Sequence, residues 1–495
     1  MAAMNPVRDA LAGGKFSYMV ELVASAKTTE EQLVEIAAGF MEIPEIVAGS
    51  VTSFAGGSAG HDPVRIGSAM HARGLTPNIH LTCVGRDRLN IIGALQELQR
   101  VGIENVFAIT GDFPKGSKET AETLYDLDSV QLVEFIHEFR QQTGFPFQIS
   151  VAVSPFKYTE PDCAYQYLKL EKKIAAGADF AITQLGFDSR KFRELKRYLT
   201  ERGLRTPVFG NVYILPLRAA EKFAKAEPPG CWASKELVEQ IRAEVDASTD
   251  KGLVARMERA ARMVAIVRGL GYAGAYIGGD HQAERIRWII KRSEVLAPQW
   301  EELAAEIEYA PKGGFYFFDP PKRKPEPPTF WHRVADIIEP ANTPRLLRGA
   351  LTGAMRLIDK SPAAASALES LELAFKKPVF GCHACGNCVL GLTEYVCPMT
   401  CPKNLRNGPC GGTNNGQCEV IPEQACVWVK VYERAQSANR VDELKTYIPQ
   451  RDRSLQGTSS YINYFLDRDS RPEHPQPLVQ IKPASHAEDQ LVKSK

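Results

Sequence analysis

Net charge is almost absent from this 495-residue sequence, in which 60 Lys and Arg stand against 59 Asp and Glu and leave +1 at pH 7. That balance offers no polyanion-binding surface, so nucleic acid is a poor candidate partner. Long hydrophobic runs are missing too. The apolar stretches break within about ten residues, whereas a membrane-spanning helix needs roughly twenty. The opening stretch MAAMNPVRDALAGGKF has neither a signal-peptide core nor a cleavage pattern, so the expectation is a soluble, cytoplasmic protein with no membrane role. Compositional bias is equally slight. With 44% hydrophobic and 24% charged residues the chain is neither disordered nor fibrous, and its length exceeds one ordinary domain.

Cysteine is scarce through most of the chain and then abundant: eight of the eleven fall between Cys382 and Cys426. Without an export signal, disulfides are a weak explanation, and the close CxxC spacing suits thiolates converging on metal.

From residue 14 to 296, short apolar or β-branched runs alternate with longer segments whose apolar residues recur every three or four positions. The candidate strands are Phe16–Val23, Glu45–Val51, Asn78–Cys83, Asn105–Thr110, Gln148–Ser154, Phe180–Gly186, Val208–Ile214 and Ala273–Gly279. Their near-continuous hydrophobicity suits strands buried on both faces. Between them, Leu89, Ile92, Leu95, Leu98 and Val101 trace one helical stripe, Thr28-Thr29-Glu30-Glu31, Asp128-Ser129 and Asp188-Ser189 supply N-caps, and Gly74, Gly102, Gly144 and Gly203 supply stops. Eight strand-helix pairs predict an α/β fold, a closed (β/α)8 TIM barrel, in preference to an open doubly wound sheet. The expected domains are a barrel over 14–300, a Pro-rich linker over 301–330, a helical, cysteine-rich metal-binding domain over 331–465 and a disordered tail over 466–495. Phe315, Tyr316, Phe317 and Phe318 are candidates to pack the linker on the barrel.

A barrel assembles its active site at the C-terminal ends of its strands, so polar residues there are the ones to question. Glu21 sits among Val20, Leu22 and Val23, and a carboxylate in that setting is either ion-paired or raised in pKa for proton transfer. Asp112 follows Gly111 at the fourth strand end, where it is a second acid at the mouth or simply a turn residue. Thr52 and Gln184 supply neutral donors and acceptors of the kind that hold a planar heterocycle. His80, taken alone, reads as a hydrogen-bonded barrel histidine.

Several segments recur together, in this order, in one family: Ser50-Val51-Thr52, His80-Leu81-Thr82-Cys83, Gly102-Ile103, Gly111-Asp112-Phe113-Pro114, Ala176-Gly177-Ala178-Asp179 and Ala181-Ile182-Thr183-Gln184 with Phe187-Asp188. Over residues 14–296 the chain resembles the methylenetetrahydrofolate reductases, flavin-containing (β/α)8 barrels that reduce 5,10-methylenetetrahydrofolate to 5-methyltetrahydrofolate with NAD(P)H. The resemblance implies that Glu21 is the general acid that protonates N10 and opens the methylene bridge. It makes Asp112 the carboxylate that stabilises the resulting 5-iminium cation beside the flavin, and Gln184 a pterin contact. Thr52, His80, Ile109, Thr110, Gly111 and Asp112 match flavin contacts, and the flavin is FAD, with FMN as the alternative. Lys172-Lys173 match a basic pair near its phosphates and ribityl chain, against the plainer reading of a solvated helix face. The sequence also departs from the family. Glu21 is followed by Leu22-Val23-Ala24-Ser25 in place of aromatics and Pro-Pro, Thr110 stands where arginine is common, Gly278-Gly279-Asp280-His281 lacks an expected substrate arginine, and Leu217 replaces a stacking phenylalanine.

The eight clustered cysteines, Cys382, Cys385, Cys388, Cys397, Cys401, Cys410, Cys418 and Cys426, are the candidate metal ligands. A C-x2-C-x2-C run with Cys-Pro pairs suits a [4Fe–4S] cluster, with zinc as the alternative, and a purely structural metal knot is the plainer reading of either. Cys397–Lys403 with Arg406–Gly412 resembles a C-terminal module that accompanies some folate reductases. Three functions remain in competition: flavin-dependent folate reduction or its reverse, methyl transfer by a folate-binding barrel without flavin, and a docking module that recruits an electron-transfer protein. A homo-oligomer is compatible with all three.

Overall fold

Strands that are apolar on both faces need cover on both faces, and closing eight of them into a cylinder supplies it from within and from a ring of helices without. A computed structural model describes residues 5–25, 28–52, 60–114, 125–319 and 339–472, with Val334 and Ile337. Its strands are β1 Ser17–Leu22, β2 Ile46–Val51, β3 Pro77–Thr82, β4 Asn105–Ile109, β5 Gln148–Val153, β6 Phe180–Thr183, β7 Val208–Tyr213 and β8 Gly274–Gly278, in one closed parallel barrel ordered β1 to β8. β8 returns to pair with β1, Val20 opposite Ile277, and β1 pairs with β2, Glu21 opposite Ser50.

The predicted alternation therefore holds, with small differences at strand ends. β6 stops at Thr183 and not at Gly186: the Gln184 N–H still reaches Val153 O, but the Gln184 side-chain oxygen takes the N–H of Leu185 at 2.8 Å and draws the chain off the sheet. The helix over Glu30–Met41 starts at Thr29 and the helix over Ser129–Thr143 at Asp128, both through reciprocal capping boxes, and Gly102 and Gly144 close their helices in the left-handed conformation.

A short helix that the periodicity did not reveal, Pro6–Ala12, covers the lower end of the barrel. Asn5 caps it and donates to Glu104 at 2.6 Å, and Arg8 pairs with the same carboxylate at 2.7 Å. Its Val7 joins Met19, Phe107, Phe180, Phe209 and Tyr276 in the barrel interior. With that end filled, ligand space remains at the strand C-termini.

After the barrel, the aromatic stretch folds back on it as anticipated. Tyr316 donates to Asp188 Oδ2 at 2.8 Å, Tyr158 donates to the same oxygen at 3.1 Å, and Phe315, Phe317 and Phe318 pack against the main core. Residues 320–330 of the proline-rich linker lie outside the described residues. Beyond it come the helices Arg345–Asp359 and Pro362–Phe380, then the cysteine-rich turns, and last the helices Val427–Ser437 and Ser460–Phe465. The tail was expected to be disordered from residue 466, yet Asp469 and Arg471 are buried and paired at 2.8 Å; residues 473–495 lie outside the described part. Among the described residues no helix is long and apolar enough to cross a membrane.

The cysteine-rich module rests on the barrel through the helix Glu160–Ala175. Tyr165 and Leu168 of that helix form one core with Leu405, Trp428, Val431, Tyr432 and Leu444 of the module. Asp128 serves both bodies: Oδ1 caps its own helix, and Oδ2 accepts from the backbone N–H of Arg406 at 3.0 Å and of Asn407 at 2.9 Å.

Candidate active site

At the open end of the barrel a cavity of about 250 Å³ is lined by Glu21, Asp112, Thr52, His80 and Gln184, drawn from five different strand ends. The sequence separates these residues by as many as 163 positions, and the barrel closure gathers them.

Glu21 lies near the top of β1, and the surface it retains faces this cavity. Glycine at 278 makes room for it, since a Cβ there would lie 2.6 Å from Glu21 Oε2. Among the described residues no cation pairs with Glu21, and burial pushes its carboxyl up to about 7. The structure thus departs from the ion-paired alternative and leaves an acid poised to hold or release a proton near neutrality. Asp112 follows Gly111, whose φ of +84° and a would-be Cβ 2.6 Å from Val84 both demand glycine at that turn.

His80 points inward from β3. Its Nε2 lies 3.0 Å from Ser50 Oγ, its ring meets Phe107 edge-on at 4.8 Å, and burial pushes its pKa down to about 3, so the imidazole is neutral. The Thr52 hydroxyl accepts from the Ala24 N–H at 3.2 Å. Ile109, Thr110 and Gly111 line the same wall. The two expected basic residues separate: Lys173 lines the cavity and donates to Ala152 O at 2.7 Å, whereas Lys172 is buried away from the lining. Neither sits on a solvated face, and burial pushes both amines down to about 7.

Ser154, Asn211, Tyr276 and Lys169 also line the cavity and went unnoticed in the sequence. Ser154 and Asn211 carried the signal that exposed Glu21, a polar residue in the second half of an apolar strand. Their buried Ser154 Oγ and Asn211 Oδ1 atoms have no hydrogen-bond partner among the described residues. Orphaned polar atoms around a cleft suit a flat heterocycle rich in donors and acceptors, so the lining fits a flavin or a pterin.

The remaining wall comes from the C-terminal module, which contributes Lys403, Pro409, Cys410, Gly411, Gly412 and Glu419. Lys403 ends the segment that carries the resemblance to the C-terminal module, but nothing in the sequence marked it or Glu419 as facing this cavity, because charged surface residues between cysteines are ordinary.

The eight clustered cysteines are all free thiols. They fall into two groups. Cys382, Cys385, Cys388 and Cys397 line one cavity of the module and act on one another electrostatically. Cys401 interacts likewise with Cys418, Cys410 and Cys426. The 3-10 turn Pro398–Thr400 separates Cys397 from Cys401 and sends one to each quartet. Among the described residues no group of three or more His, Cys, Asp or Glu side chains is set to hold a metal ion in this arrangement. Four soft thiols per quartet are nevertheless the donor chemistry that iron–sulfur clusters and thiolate zinc sites use.

Parts of this sequence are similar to named reductases. "Methylenetetrahydrofolate reductase 2" of Schizosaccharomyces pombe is 24% identical over 246 residues, 46% of this chain and 37% of its own. "5,10-methylenetetrahydrofolate reductase" of Salmonella typhimurium is 29% identical over 153 residues, 30% of this chain and 48% of its own. "Methylenetetrahydrofolate reductase (NADH) 1" of Arabidopsis thaliana is 28% identical over 173 residues, 32% of this chain and 28% of its own. The matched part of the chain thus spans less than half the length of each of these relatives. Residues 362–454 match a family model described as "Methylene-tetrahydrofolate reductase C terminal". Because the family model described as "Methylenetetrahydrofolate reductase" matches residues 7–266, more than half of the sequence, this chain belongs to the methylenetetrahydrofolate reductase family.

Proposed function

We propose that the chain interconverts 5,10-methylenetetrahydrofolate and 5-methyltetrahydrofolate. One observation carries the reading: the carboxyl groups of Glu21 and Asp112 line one cavity, and Glu21 is held up to about 7 with no cation among the described residues beside it. Opening the methylene bridge requires a proton at N10. A carboxyl that stays substantially protonated at neutral pH can donate it, and the conjugate carboxylate can take it back in the reverse direction. The opened folate carries a positive charge at its 5-iminium group, and the Asp112 carboxylate is the group to face it. Gln184 orients the pterin through its amide nitrogen, its side-chain oxygen being engaged by Leu185. Thr52, His80, Ile109, Thr110, Gly111 and Lys173 are the residues to hold a flavin, FAD in preference to FMN. A bound flavin would supply the hydride, with NAD(P)H or an electron-transfer protein as the source of electrons.

The two thiol quartets belong in this reading to [4Fe–4S] clusters in preference to zinc, on the C-x2-C-x2-C run and the Cys-Pro pairs. Anaerobic purification with flavin, iron and zinc analysis tests both assignments, followed by NAD(P)H-dependent turnover of methylenetetrahydrofolate. A yellow-brown protein that reduces the folate is the expected result. A colourless protein that binds 5-methyltetrahydrofolate without redox turnover would overturn it in favour of methyl transfer.

A further inference from the structure

The segment between Cys401 and Cys418 is held down on the barrel mouth by buried side chains of the barrel. Lys157 donates to Gly411 O at 2.7 Å and also to Thr413 O, Gln166 donates to Cys410 O at 2.9 Å, and Lys169 donates to Pro409 O at 2.9 Å. All three barrel side chains are buried. Two ammonium groups are therefore spent on module carbonyls, an expensive arrangement for loosely appended domains and a sensible one for a fixed joint.

In the opposite direction, one side chain of the module reaches the turn that precedes Asp112. Lys403, 2% exposed, donates to Gly111 O at 3.0 Å and pairs with the buried carboxylate of Glu419. Gly111 is the left-handed residue immediately before Asp112, so a bond to its carbonyl fixes the peptide from which Asp112 projects. Asp112 itself is among the electrostatic partners of Lys403. Cys410 completes the contact by donating to Glu419 Oε2 at 3.2 Å.

We propose that the cysteine-rich module forms one wall of the ligand cavity and that Lys403, supplied by that module, is a positioning residue for Asp112. This rests on the folate-reductase reading above. Lys403 need not touch the substrate. It holds the Gly111 turn by one bond and balances the Asp112 carboxylate by its charge, while Glu419 keeps the ammonium from swinging away.

The test uses full-length protein. Lys403→Met should lower kcat for methylenetetrahydrofolate by about tenfold or more, with KM changed less than about threefold and flavin and metal contents at wild-type levels. Lys403→Arg, which can still donate to the Gly111 carbonyl, should recover a substantial part of the loss. Wild-type kcat in Lys403→Met would overturn the proposal. So would a loss that arrives together with depleted flavin and metal, because that pattern marks a purely structural lysine. If Lys403→Met does not fold, Glu419→Gln decides: a lowered kcat at unchanged KM supports the proposal and an unchanged kcat rejects it. Inactivity of the wild-type protein with the folate would instead fail the underlying functional reading, an outcome separate from a neutral variant of an active enzyme.

Discussion

Glu21 and Gly278 face each other across the seam where β8 closes on β1, and the space a side chain would fill at 278 is taken by the Glu21 carboxyl, 2.6 Å from a would-be Cβ. The glycine admits a buried acid at the barrel mouth at a point where the flanking strand residues, Leu22 and Ile277, are themselves fully buried. Room for the carboxyl and the lack of a counter-charge among the described residues act together: the first places the proton donor and the second keeps the proton on it.

Gly278→Ala should therefore displace the Glu21 carboxyl with little harm to the fold, the other close neighbour of a Cβ there being Tyr213 at 3.2 Å. A shift approaching 1 Å at a proton donor costs up to about a hundredfold in rate. Steady-state turnover should fall at least about tenfold while the thermal transition moves little. A variant with wild-type turnover would mean that the position of Glu21 does not matter.

The charge of Glu21 leaves a mark on stability as well. Its carboxyl is raised from 4.5 to about 7 by burial, so the native state binds the proton more tightly than the unfolded chain does. Stability attributable to this group is greatest below pH 4.5, declines as pH climbs to about 7, and is gone above that. The cost at pH 8 is at most about 3 kcal/mol, and water in the cavity reduces it. The groups around it, Tyr213, Tyr276 and Cys231, are kept neutral by burial and add no compensating cation. Glu21→Gln should melt higher than wild type at pH 8 and equally at pH 4.5. Its folate turnover should drop by about a hundredfold or more, and the decline of wild-type kcat/KM above pH 7 should disappear. Identical melting curves at pH 8 would argue against the raised pKa.

Much of this architecture could be read from the sequence, for reasons that are local. Strands such as Asn105–Ile109, apolar at every position after the first, are short hydrophobic runs, and caps such as Thr29 and Asp128 announce helix starts within four residues. Glu21 stood out because a charge inside such a run has few explanations. What stayed hidden is non-local. Nothing near Lys403 says that its ammonium meets the carbonyl of Gly111, 292 positions away. Val7 lay outside the repeating pattern, and the division of eight cysteines into two quartets follows from a single turn at Pro398–Thr400 that spacing does not determine.

Asp128 joins the barrel to the module, and its removal measures that joint. The side chain caps the helix Ser129–Thr143 through Val130 and Gln131 and accepts three further bonds from Arg406 and Asn407, one of them from Asn407 Nδ2 at 3.0 Å. Losing the cap alone costs about 1 kcal/mol, and each buried donor left unsatisfied adds about 1 kcal/mol or more. Asp128→Ala should lower the unfolding free energy by at least about 3 kcal/mol in denaturant titrations. It should also make the module more open to proteolysis than the barrel. A loss near 1 kcal/mol would show that only the cap matters and that the module is held by its other contacts, the apolar ones with Tyr165 and Leu168 and the bonds from Lys157, Gln166 and Lys169.

Asp112 offers the sharpest separation of charge from shape. Asp112→Asn keeps the size of the side chain and its place after the Gly111 turn while removing the negative charge proposed to face the iminium cation. If stabilising that cation is its task, folate turnover should fall by about a hundredfold. Oxidation of NAD(P)H with a quinone as electron acceptor creates no such cation and should stay within about twofold of wild type. Affinity for 5-methyltetrahydrofolate, which lacks the cationic centre, should change far less than turnover. Equal losses in both reactions would instead assign Asp112 to holding the cofactor, and equal retention of both would leave the carboxylate without a chemical role at this mouth.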